Sequence, residues 1–259
     1  MNTEYLSQDA QDVIKAYTEL NLGLKKVKAP YYMNLRGQKG GLRVMIGKGT
    51  PDEIEQEVKV WSQVKGFDIE KADEGKIREF MVNMDIGIDC SGFSVYVLNA
   101  ELKAMGLKSI WNYLQFDNNS ILARIKRIVR PIESIGANML TNENNCIEIT
   151  DFNDIKPSDL IRAKGKQKNA SHVAIVTEVT RDADGNTKSF KYAHSHRYYE
   201  EENGLRIGKV EITDPAKELK EQKWIDDKDG RNYMLEDLLV EYEDNGLRRL
   251  NIFDRIFTE

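Results

Sequence analysis

His172-Val173-Ala174-Ile175-Val176-Thr177-Glu178-Val179-Thr180 and Ser189-Phe190-Lys191-Tyr192-Ala193-His194-Ser195-His196 flank the turn Asp182-Ala183-Asp184-Gly185-Asn186-Thr187. β-branched and aromatic residues on both sides of an Asp-Gly tip predict an antiparallel hairpin. In the second arm Phe190, Tyr192, His194 and His196 share one face, because side chains alternate along a strand. Asp159-Leu160-Ile161-Arg162 before this hairpin, and Leu205–Thr213 and Leu247–Phe253 after it, read as further strands.

Upstream the apolar period lengthens to that of helices. Ser7 is placed to cap a helix with Val13, Ile14, Tyr17 and Leu20 on one face and Gly23 past its end. Thr50-Pro51-Asp52-Glu53 opens a second helix, carried on by Ile54, Val58, Trp61 and Val64 and stopped at Gly66. A third begins near Cys90 and runs through Phe93, Val97, Leu98, Leu102 and Met105 to Gly106. Ser120 caps a fourth, which must end at or before Pro131. Helices first and strands second predict an α+β architecture, N-terminal helices packed on an antiparallel sheet. Residues 1–82 read as a mostly helical extension on a core formed by 83–259.

The chain has 259 residues, enough to bury about 70–75% of its extended surface without a metal or disulfide staple. Net charge is -5 and the pI about 5.5, which argues against a broad nucleic-acid surface. No apolar run reaches the ~18 residues of a membrane span. No secretory signal is visible, so the expected location is cytoplasmic by default. The cysteines are Cys90 and Cys146, too few for a disulfide scaffold, and the three histidines are His172, His194 and His196.

Gly87-Ile88-Asp89-Cys90-Ser91-Gly92-Phe93 places a thiol at a helix start, where unpaired N–H groups and the helix dipole favour thiolate and can hold an oxyanion. Asp89 suits the cap, and Gly92 permits close approach to a neighbouring strand. Together with Lys156-Pro157-Ser158-Asp159-Leu160 and Ser171-His172-Val173-Ala174-Ile175-Val176, in that order, this motif resembles the NlpC-type papain-like cysteine peptidases. The likeness covers roughly residues 84–196. It implies a papain-like fold and a hydrolase without a cofactor that cuts amide bonds in bacterial cell-wall peptides, from a family often exported. It assigns Cys90 as nucleophile and His172 as base. Registers pairing His172 with His194 or with His196 both close the turn. The family's habit of placing its third polar residue on this strand favours His194, with Ser91, Tyr31 and His196 toward the substrate.

The span from Cys90 to His172 is longer than this family usually needs, so residues 108–150 read as an insertion. Its helix carries Arg124, Lys126, Arg127 and Arg130, which either wall the cleft and attract carboxylated substrates or pack elsewhere against local acids. Other functions stay open. The family fold also hosts acyl transfer. Alternatively, the chain is a non-enzymatic binding module or a metal-binding one in which His172 joins His194 and His196, whose rings project to one side. The sequence does not set the oligomeric state.

Overall fold

A computed structural model describes residues 1–33, 42–116, 120–164, 171–197, 203–225, 231–239 and 244–258. Strand β1 (Asn2–Tyr5) precedes α1 (Gln8–Thr18) and the small hairpin of β2 (Leu20–Leu22) and β3 (Lys25–Val27). Helices α2 (Pro51–Lys65), α3 (Glu74–Asn83), α4 (Cys90–Ala104), α5 (Ile121–Val129) and α6 (Ala137–Thr141) follow. The remaining strands are β4 (Cys146–Ile149), β5 (Leu160–Ala163), β6 (His172–Arg181), β7 (Thr187–His196), β8 (Gly204–Glu211), β9 (Lys223–Ile225) and β10 (Gly246–Leu250). Helix α7 (Tyr233–Leu238) lies between β9 and β10, and α8 (Asn251–Thr258) follows β10. The architecture is α+β, with N-terminal helices packed on an antiparallel sheet.

Local chemistry sets the helix ends. Ser7 accepts from the Ala10 N–H, and Thr50 and Glu53 form a reciprocal capping box. Asp89 accepts from the Gly92 N–H at 2.5 Å, so α4 begins at Cys90. A Cβ on Gly92 would sit 2.9 Å from the Gly47 carbonyl oxygen; the close approach is to that loop rather than to a strand. Three expectations shift. Leu20 lies in β2 and Gly23 turns the β2–β3 hairpin with a φ of 65°, so neither belongs to α1. Val64 is exposed. The last strand stops at Leu250, because Ile252, Phe253, Ile256 and Phe257 have helical spacing and α8 uses them against the core.

Among the described residues the main sheet has the order β4-β10-β5-β6-β7-β8-β9, all pairs antiparallel. β6 is long enough for two neighbours on one side: β5 along its first half and β1 along its second, with Tyr5 opposite Glu178. One face of the sheet carries Leu160, Val173, Ile175, Ala193 and Leu205 into a core shared with α1 and α4. The other carries Ile161, Ala163, Ala174, Val176, Phe190 and Tyr192 into a second core with Met234 and Leu238 of α7. A bulge between Val176 and Glu178 shifts the alternation, so Val179 faces the second core beside Val176.

Asp159, just before β5, is tied to Arg249 of β10, the last strand along the sequence. The guanidinium donates to both carboxylate oxygens, at 2.8 and 2.9 Å, and Asp159 is fully buried. Removing the carboxylate strands a buried charge. Asp159→Ala should therefore lower the unfolding free energy by about 3 kcal/mol in a urea titration; a loss under ~1 kcal/mol would show that Arg249 finds other partners.

Candidate metal centre

The strand register brings the three histidines together. Ala163 of β5 stands opposite His172, and Ala163 belongs to the core beneath α7, so His172 projects to that side. In β7, Tyr192 faces the same core, and alternation sends His194 and His196 with it. The ladder pairs Ile175 with Ala193 and Val176 with Tyr192. Extended to the end of β6, that register sets His196 opposite His172 and leaves His194 on the diagonal. The paired ladder itself stops at Ile175 and Ala193, and the ring contact that forms is the one anticipated from the family habit: His172 Nε2 and His194 Nδ1 are 2.9 Å apart. The ring centroids of His172 lie 4.7 Å from those of His196 and 5.1 Å from those of His194.

Helix α7 closes this face. Asn232 caps it by accepting from the Leu235 N–H at 2.9 Å. Met234, Asp237 and Leu238 form its buried side, which carries one carboxylate among apolar residues down onto the histidines. His196 Nε2 and Asp237 Oδ2 are 3.1 Å apart, and Tyr233 stacks on the His196 ring at 5.9 Å. One donor atom from each of His172, His196 and Asp237 lies within 4.8 Å of the other two. Two donors on a tetrahedral ion with bonds of about 2.0–2.1 Å lie about 3.3–3.4 Å apart. His196 Nε2 and Asp237 Oδ2 have nearly that separation, and a donor atom of His172 lies within 4.8 Å of the other two.

The protonation state suits a ligand. All three residues are nearly buried. Desolvation holds the His172 pKa well below the ordinary imidazole value, and the neighbouring His196 and His194 push it the same way. A neutral imidazole offers a lone pair, as metal binding requires. His172 Nε2 and His194 Nδ1 are 2.9 Å apart, a contact in which one ring donates and the other accepts. That contact fixes one nitrogen of His172 and orients the other.

Cys90 has a different setting. It lies in the core shared with α4, and the β7 side chain facing its loop is Ser195, which donates to the Ile88 carbonyl at 2.8 Å. Among the described residues no hydrogen bond joins the Cys90 thiol to His172. Burial raises the thiol pKa to about 12, and the Asp89 charge adds to the rise; the Val173 N–H, Lys48 and the Ser91 N–H oppose it only in part. The helix-end effect expected to favour thiolate, about 0.3–1 kcal/mol, loses to desolvation. Ser91 is engaged locally, accepting from Lys48 Nζ at 2.6 Å and donating to Asp89 at 3.0 Å. Tyr31 bridges to Ile88 through its backbone, and its hydroxyl meets the Met33 sulfur at 3.4 Å.

No protein-family model, curated protein or solved structure matches this chain. The resemblance to NlpC-type peptidases thus has no support beyond its short motifs. The site of convergent chemistry is a His-His-Asp cluster of metal-ligand type, which overturns the cysteine peptidase, its Cys-His-His triad and its cell-wall hydrolase activity. The three-histidine metal set is also corrected: Asp237 takes the position expected of His194. Asp237 escaped the sequence reading, although a signal was present. It sits one residue before Leu238 and three after Met234, an acid at an apolar position of a short helix.

If burial governs the cysteines, Cys90 and Cys146, both with pKa values raised to about 12, should react slowly with iodoacetamide at neutral pH in the folded protein. Both should label rapidly in urea. Native labelling of Cys90 many times faster than Cys146, followed by peptide mass spectrometry, would contradict this setting.

Proposed function

We propose that this protein is a metal-binding module that takes one divalent first-row transition ion, zinc foremost, through His172, His196 and Asp237. The observation that carries the reading is the convergence of three buried donors within 4.8 Å of one another. Two imidazoles and a carboxylate suit zinc and its neighbours better than calcium or magnesium, which prefer oxygen donors. Burial of His172 in its neutral form supports the same reading, because the ion does not displace a proton from that ring. His194 is the positioning residue, holding His172 through the 2.9 Å contact between their rings. Three protein donors leave a coordination position for water or an added ligand.

Isothermal titration of chelator-treated protein with Zn²⁺ should give one site per chain, and Co²⁺ should produce visible absorption of a nitrogen- and oxygen-ligated ion. His196→Ala and Asp237→Ala should abolish stoichiometric binding. His194→Ala should weaken it by about 10–100-fold while retaining one site. At a hundredfold excess of free Zn²⁺ over its Kd, stabilisation of about 2.7 kcal/mol should raise the melting temperature. Because burial keeps the His172 ring neutral well below the ordinary imidazole range, its part in the affinity should survive mild acid and be lost only at a pH well below that range. Absence of a 1:1 site, or binding indifferent to both ligand substitutions, would refute the assignment.

A further inference from the structure

Helix α5 turns the usual arrangement of a surface helix outward. Its apolar residues Ile121, Leu122, Ile125, Ile128 and Val129 recur at helical spacing, so they form one stripe. That stripe faces solvent: Ile125 is the least exposed of the five at 53% and Ile128 the most at 81%. The opposite side is the one held by the protein. Arg127 lies over the Phe116 ring at 4.6 Å, and Arg130 pairs with Glu133 of the following turn. The exposed apolar surface continues onto Leu42, which lines the same hollow as Val129.

The charge on this helix is one-sided. Arg124, Lys126, Arg127 and Arg130 fall within it or at its end, with no acidic residue between Ser120 and Pro131, in a chain whose net charge is -5. Neither half of the expectation drawn from the sequence describes the apolar stripe. The arginines do engage local groups, as the pair with Glu133 shows, but this leaves five large apolar side chains uncovered.

We propose that α5 is an interfacial anchor that docks this protein on an anionic lipid surface. The isoleucines, leucine and valine would enter the boundary between headgroups and acyl chains, while the exposed Arg124, on a helix stretch without acidic residues, meets the phosphates. A second copy of the chain fits the same face less well. A two-fold contact through one short helix offers Arg124 no acidic residue of the partner's helix to pair with, and two such stripes bury too little area for a stable dimer. The docking is peripheral: no described helix is long and apolar enough to cross a membrane.

The test uses the full chain and sedimentation with vesicles of phosphatidylcholine alone or with about a third phosphatidylserine. Binding to the anionic vesicles should exceed binding to the neutral ones at least tenfold and should weaken as salt is raised. Ile125→Ser with Ile128→Ser should reduce anionic-vesicle binding at least tenfold, and Arg124→Gln should reduce it less. Both changes are on exposed positions, and circular dichroism checks that the fold is retained. Sedimentation velocity on the vesicle-free protein separates the rival. A dimer converted to monomer by the isoleucine substitutions, with no vesicle binding by the parent chain, would assign the stripe to self-association and overturn the proposal. Equal binding to both vesicle types, or none to either, would overturn it as well.

Discussion

The register between β6 and β7 is the constraint on which the rest of the site depends. It is held by backbone hydrogen bonds and by the packing of Val176, Phe190 and Tyr192 under α7, and side-chain alternation leaves little freedom once one pair is fixed. A slip of one residue would send His194 and His196 to the face occupied by α4 and bring Ser195 under α7. Two bulges, one after Val176 and one at Thr180, absorb the irregular length toward the turn, and Ile175 and Ala193 are paired in register next to the histidines. The cluster is thus a product of sheet geometry, completed by one carboxylate from a helix far along the chain.

Three buried polar groupings show how differently such residues are used. Lys48 is enclosed by Asp89, Ser91 and the Ile135 carbonyl at 2.6–3.0 Å, which satisfies its three donors and braces the start of α4. Arg249 and Asp159 satisfy each other in a bidentate pair and link β10 to the entrance of β5. Each of these groupings matches a cation with an anion. The cluster around His172 has a different balance: three imidazoles face one carboxylate, and burial keeps His172 neutral. Among the described residues, His172, His196 and Asp237 gather donor atoms within 4.8 Å of one another, an arrangement that suits a small cation.

What could be read from the sequence was what local chemistry determines. The hairpin from His172 to His196 follows from alternation and an Asp-Gly tip, and the start of α4 from the Asp89 cap. Two registers two residues apart stayed open in the sequence, because bulges near a turn change register without a composition signal, and the ring contact that forms joins His172 to His194. Asp237 was visible only as an acid at an apolar helix position, and nothing local says that α7 returns to the β6–β7 end. The motif around Cys90 misled for a physical reason. Asp-Cys-Ser-Gly describes a well-capped helix start, and that local geometry is the same whether the thiol is reactive or, as here, desolvated against a carboxylate. The exposed stripe of α5 could not be foreseen either, since a periodic pattern reports that a helix has an apolar side and not which way it turns.

The placement of β10 has a consequence for how the chain is made. It lies between β4 and β5, pairing Arg248 with Glu148 on one side and with Leu160 on the other. Until Gly246–Leu250 has left the ribosome, β4 and β5 each keep an open edge of unpaired amides beside largely apolar side chains. Co-translational folding can finish the hairpin of β6 and β7 early, but the sheet closes only once Gly246–Leu250 is available. A nascent polypeptide stalled before that point carries two adhesive edges, and these mark the place where chaperone protection matters most.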